Sequence, residues 1–119
     1  MTAMSNYLEN ALINATLRNT SYTSPSTVYV ALFTSDPTDA GSGTECSGSG
    51  YARQSATFSA PDVSFPQATG AWGTITHFGI FDASSSGNLL YHGALTASKT
   101  IASGDLLKIT STNLTVTLA

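Results

Sequence analysis

The sequence predicts a mainly β domain, an antiparallel β-sandwich or small barrel carrying one N-terminal α-helix. Three observations lead there. Short runs of β-branched and aromatic residues alternate with Gly, Pro, Asp and Ser turn signals along most of the chain. A helical period is seen only near the N-terminus. The length of 119 residues suits one domain and can bury a core without a disulfide or metal.

The helix is expected at Ser5–Arg18. Ser5 can accept a free first-turn N–H as N-cap. Leu8, Ala11, Leu12 and Ala15 then fall on one face. Glu9 lies towards the positive end of the helix dipole and Arg18 towards the negative end, with Asn19 as a left-handed stop. Met4 can serve as the start, with Met1 to Ala3 an extension. Thr20 to Ser26, with Pro25, reads as loop.

Thr27–Ser35 (TVYVALFTS) is the clearest strand and ends at Asp36–Pro37. Val28, Val30 and Leu32 point one way; Tyr29, Ala31 and Phe33 point the other. Both faces are apolar, so cover is expected on both. Thr38–Gly50 is a glycine-rich loop. Tyr51–Ser59 alternates as a half-buried or edge strand. Pro61 and Pro66 bracket a short extended piece, Val63–Phe65. Gly70–Gly73 is a turn around Trp72.

Thr74–Asp82 (TITHFGIFD) is a second two-faced strand, read with Ile75, His77 and Phe81 opposite Phe78 and Ile80. Gly79 inside it signals a bulge or a close backbone approach. Ala83–Asn88 is a hairpin loop with Gly87 able to take a positive φ. Leu89–Thr96 (LLYHGALT) is its antiparallel partner. A short strand around Ile101 and a turn at Ser103–Asp105 follow. Leu107 and Ile109 differ in parity from Leu114, Val116 and Leu118, so a break is expected at Ser111–Asn113. The total is one helix and six to eight strands.

Composition narrows function. Charged residues are 9% of the chain, against a usual quarter, while 17 Ser and 18 Thr supply polarity through hydroxyls. Four Lys and Arg cannot track a phosphate backbone, which argues against nucleic-acid binding. The longest apolar run, Val28–Phe33, is far short of the ~20 residues a membrane helix needs. The N-terminus has neither the basic nor the apolar region of a signal peptide. Cys46 is the lone cysteine, in a loop beside Glu45, where a thiol is not activated.

Catalytic and cofactor patterns are lacking. His77 and His92 lie on adjacent strands, without a third ligand at metal spacing, and read as strand histidines bonded to hydroxyls. No nucleophile elbow or phosphate-binding glycine motif occurs. No catalytic residue, metal or cofactor is expected. Among the aromatics, Trp72 in its glycine-flanked turn is the candidate for a glycan or receptor contact. Leu8, Leu12, Tyr29, Phe33, Phe78, Phe81 and Tyr91 are the candidates for core packing and oligomer contacts.

Six stretches carry a resemblance: Asn6–Asn14 (NYLENALIN), Thr27–Asp39 (TVYVALFTSDPTD), Tyr51–Gln54 (YARQ), Trp72–Asp82 (WGTITHFGIFD), Gly87–Leu95 (GNLLYHGAL) and Leu114–Leu118 (LTVTL). Through them the chain resembles a family of small tailed-bacteriophage proteins labelled phage tail fibre protein. The resemblance spans nearly the whole chain. It implies a non-enzymatic virion structural protein, one domain over residues 1–119, assembled in the bacterial host cytoplasm. Three strands apolar on both faces, with one short helix and a thin second sheet to cover them, lead to the expectation of a homo-oligomer, a trimer; other phage structural proteins of the tail or the major capsid are the further expected partners. A capsid decoration protein and a host-glycan or receptor-binding module are the alternatives. One such domain has an expected radius of gyration of roughly 13–14 Å, too small to form a long fibre alone.

Overall fold

The computed structural model describes residues 2–23, 25–56 and 62–110. In chain order they form β1 (Thr2–Met4), α1 (Asn6–Leu17), β2 (Val28–Phe33), β3 (Gln54–Ala56), β4 (Asp62–Ser64), β5 (Gly73–Phe81), β6 (Leu89–Ile101) and β7 (Lys108–Thr110). Five strands make one antiparallel sheet in the order β1-β6-β5-β2-β3, and β4 pairs with β7 in a separate two-stranded ribbon. The mainly β, antiparallel architecture with an N-terminal helix is as the sequence predicts. The sheet ends in two edges, β1 and β3, and does not close into a barrel.

The helix starts where capping chemistry demands. Ser5 is extended (φ −74°, ψ 162°), and its hydroxyl oxygen accepts the N–H of Leu8 at 3.2 Å. The same hydroxyl donates to the carbonyl of Leu89, and the Ser5 N–H donates to Leu90 O at 2.8 Å. One residue therefore caps α1 and ties it to β6. Arg18 closes the helix, and Asn19 takes the left-handed conformation, φ 55°.

β2 and β5 occupy the centre of the sheet. Their register places Ala31, Gly79, His92 and Ala3 in one cross-strand row, and Val30, Ile80, Tyr91 and Met4 in the next. Successive rows face opposite sides of the sheet. On one side, Val30, Leu32, Phe78 and Ile80 pack with Val63 and Phe65 from the ribbon segment, Leu107, and Trp72. On the other, Ala31, Phe33, Phe81 and Leu89 form a smaller cluster.

Four expectations are corrected. Ile75 belongs to the Phe78 and Ile80 side, not with His77 and Phe81. The register shifts between Ile75 and His77, where β5 advances two residues and β6 advances five, from Ala94 to Lys99. Such an irregularity changes which parity faces the core. For the same reason the expected short strand around Ile101 is the far end of β6. At the N-terminus, Thr2–Met4 form an edge strand paired with Tyr91–Gly93. Three residues of weak pattern gain strand geometry from an available partner. Finally, the strand expected at Tyr51–Ser59 is confined to Gln54–Ala56 among the described residues. Its edge position is as expected, since it pairs with β2 alone. The expected break at Ser111–Asn113 and the apolar set Leu114, Val116 and Leu118 lie outside the described residues.

Gly79 marks a close approach, not a bulge. A Cβ there would lie 2.9 Å from both Leu89 Cδ1 and Phe33 Cε1. The missing side chain lets the second aromatic cluster settle directly on the sheet. The Cα radius of gyration is 14.5 Å and the extents are 49 × 28 × 24 Å, somewhat longer than a sphere of this chain length.

Candidate functional site

The chemistry is concentrated at one end of the sheet, where the 36–51 loop meets the 82–88 turn. Cys46 N–H donates to Leu32 O at 2.9 Å and Thr34 N–H to Thr44 O at 2.9 Å, so the loop returns alongside the end of β2. This places Glu45 opposite Phe33. Glu45 then meets Arg53 in a two-point ion pair. Arg53 Nε donates to Oε2 at 2.8 Å and Nη2 donates to Oε1 at 2.8 Å. The fork geometry of guanidinium and carboxylate favours this pairing.

Arg53 does more than pair. Its Nη1 donates to the carbonyls of Ala83 at 3.1 Å and Ser86 at 2.8 Å, in the β5–β6 turn. Its guanidinium carbon lies 3.7 Å above the centroid of Phe81, whose ring stacks with Phe33 at 6.1 Å. The Arg53 side chain is only 8% exposed. Burying that charge is tolerable because the carboxylate, two carbonyls and a ring face compensate it.

Tyr51 extends the network inward. Its hydroxyl donates to Glu45 Oε2 at 2.7 Å and accepts the N–H of Leu32 at 3.0 Å. Burial, with the Glu45 carboxylate beside it, pushes the phenol above its ordinary pKa of 10.0. Cys46 is buried, and its thiol is pushed up to about 11, first by burial and then by Glu45. Its sulfur lies 3.7 Å from Trp72 O. The thiol is therefore an unreactive core group.

Trp72 lies in the core, 5% exposed. Its indole N–H donates to Ser49 O at 2.9 Å, and its ring meets Tyr51 edge-on at 5.4 Å. That ring is committed internally and offers no open face to a glycan. Leu8, Phe33, Phe78 and Phe81 are likewise buried within the chain, whereas Leu12, Tyr29 and Tyr91 are half-buried. Among the described residues, the large apolar side chains that face outward are different ones: Tyr7, Ile13 and Leu17 on α1, and Leu106. Leu8, Ala11, Leu12 and Ala15 make the apolar face that the helical period shows, and Ile13 and Leu17 lie one helical turn apart on the other side.

The two strand histidines have different partners. His77 Nδ1 is 2.8 Å from the Thr76 hydroxyl, as expected. His92 is bonded to a carboxylate instead: its Nε2 is 2.7 Å from Asp39 Oδ1, with Asp36 Oδ1 3.9 Å from Nδ1. That contact fastens the 36–43 loop to the second face of the sheet. Beside it, a cleft of about 240 Å³ opens between the start of α1, residues 39–41, Phe81 and residues 87–89. Among the described residues, no group of three His, Cys, Asp or Glu could hold a metal ion. No described helix is long and apolar enough to cross a membrane.

The site is thus built from hydrogen-bonded clasps that shape loops on a sheet. No curated protein sequence matches the chain. A family model described as "Podophage GP4 fiber I protein gp80" matches residues 3–117, which include the clasped loops, the central sheet and the helix. The chain belongs to this podophage fibre protein family and is a phage tail-fibre structural protein of the virion.

Proposed function

We propose that the chain acts as a compact, non-enzymatic, self-associating component of the tail-fibre apparatus, with copies meeting through the outward side of α1. The carrying observation is the exposure of Ile13 (45%) and Leu17 (79%) on a 12-residue helix that packs among the strands against β6. Leu8 is its buried residue. Apolar side chains one turn apart on a helix are the usual seam for helix pairing. The low charge supports the same reading, because charged groups are costly to bury in a permanent interface.

The 49 Å long axis suits an adaptor or tip joined to longer tail proteins better than a fibre shaft. Light scattering of the purified chain tests the association. A mass at a multiple of 12.3 kDa, with three copies as the expected stoichiometry, supports it. A clean monomer at micromolar concentration overturns it. Quantitative mass spectrometry of purified virions tests the placement. A few to a few tens of copies fits the tail; a ratio near one per major capsid subunit moves the chain to the head.

A further inference from the structure

We propose that α1 packs in parallel against α1 of a second copy, through the stripe Asn6, Asn10, Ile13 and Leu17, with Asn10 meeting Asn10 across the axis. This rests on the reading of α1 as the face where copies meet, and it adds the direction and register of that contact. The four residues are all exposed. They follow one another at intervals of four, three and four, which is the seam spacing of paired helices and not the spacing of the face that α1 turns to the sheet.

The order of residue types along the stripe selects the parallel arrangement. Its first half is amide and its second half is apolar. In a parallel pair each residue meets its own equivalent, so Asn10 faces Asn10 and Ile13 and Leu17 face Ile13 and Leu17. An asparagine side chain carries both donors and an acceptor and can therefore bond to a copy of itself. In an antiparallel pair Asn10 would face Ile13 and Asn6 would face Leu17. Each amide would then be desolvated against methyl groups without a partner.

The flanks agree with the parallel direction. Glu9 and Asn14 border the stripe on opposite sides and are half-buried. Arg18 Nη1 donates to Asn14 Oδ1 at 3.4 Å, which leaves the Asn14 NH2 as a donor. Parallel seam geometry sets this group beside the partner subunit's Glu9, an acceptor. A polar Asn inside such a seam fixes direction and register at some cost in affinity. Parallel pairing of identical helices generates cyclic symmetry, with the rotation axis along α1. All copies then present the same end to the next tail protein.

Disulfide trapping of the full-length chain tests this. Cys46 is buried and stays silent in the native protein. Leu17→Cys should cross-link to itself in oxidised glutathione about tenfold faster than Lys99→Cys, an exposed control on β6, because contact raises the local thiol concentration. A mixture of Asn6→Cys and Leu17→Cys chains should give no 6–17 product above the control. Asn10→Leu should tighten association about tenfold by light scattering and allow the 6–17 product to form, since the residue that fixes direction is gone. Preferential 6–17 trapping in the mixture overturns the parallel direction and leaves α1 as the interface. An Asn10→Leu chain with unchanged affinity and unchanged cross-links overturns the role of Asn10. A stable oligomer in which neither pair is trapped above the control removes α1 from the interface altogether, and so overturns both readings, as does a monomer with control-level trapping.

Discussion

The Arg53 clasp and helix α1 are two solutions to attaching a segment to the same sheet. Arg53 reaches a carboxylate, two carbonyls and an aromatic face, and is nearly fully buried. Helix α1 is tied at its first turn, through Ser5 and Leu8, while Ile13 and Leu17 face outward. The clasp specifies one geometry for three loop segments, because each polar atom has one place to bond. The helix is held at one end and keeps apolar surface available. One region is completed within the chain; the other has surface to spare for a partner.

The comparison breaks first if the clasped end does not dominate stability. Trp72→Ala should cost about 3–5 kcal/mol, the usual range for a fully packed aromatic, as read by urea denaturation. A loss under about 1 kcal/mol would show that the loops around Trp72 are held independently of the core. Next, Arg53→Met should cost about 2–4 kcal/mol, because it strands Glu45 beside Tyr51. The figure is tempered by Glu45, whose side chain is a quarter exposed. Adding Glu45→Leu to Arg53→Met should recover part of the loss in a double-mutant cycle. Simple additivity would mean that the ion pair contributes nothing beyond its separate contacts.

The alkaline limb sharpens the same contrast. Cys46 and Tyr51 both titrate higher in the fold than when unfolded. Their contribution is therefore complete below the unfolded values of 9.0 and 10.0 and is lost as pH rises. For the thiol the window is about pH 9 to 11. Stability should be insensitive to these two groups at neutral pH and fall through that window, and Cys46→Ala should flatten its first part. A thiol reagent at pH 8 should leave the native protein unlabelled and label it on unfolding. The smallest effect is expected at Leu17→Ala, within about 0.5 kcal/mol of wild type in denaturation at concentrations low enough for both to be monomeric, while the mass by light scattering at micromolar concentration falls. An unchanged mass would remove α1 from the interface.

Much of the fold was legible because local rules and tertiary rules agreed. Ser5 is a cap by chemistry and Asn19 a left-handed stop by conformation, and both hold those roles. The two-faced pattern of Val28–Phe33 could fit only a central strand, and β2 is one. The hairpin of β5 and β6 followed from adjacent apolar runs and a loop with Gly87. The family resemblance, carried by stretches such as Trp72–Asp82, agrees with the fibre family match over residues 3–117.

What the sequence by itself determined was therefore the class of fold, its helix, its central strands and its membership of a phage fibre family. The fold class, helix and strands depend on near-neighbour periodicity and on residue types that favour one backbone geometry, whereas the family rests on the resemblance of whole stretches and the family match over residues 3–117. The tertiary structure alone decided the rest. It paired Glu45 with Arg53, buried Trp72, set Asp39 against His92, and turned Ile13 and Leu17 outward. In Tyr51–Ser59 the alternation marks a half-buried or edge strand but not the fate of Arg53, because hydropathy records a charge and not the partner that compensates it. That partner lies eight residues away, across a loop whose return path is fixed by hydrogen bonds to β2. Burial of a polar group depends on such distant company, and no local pattern encodes it.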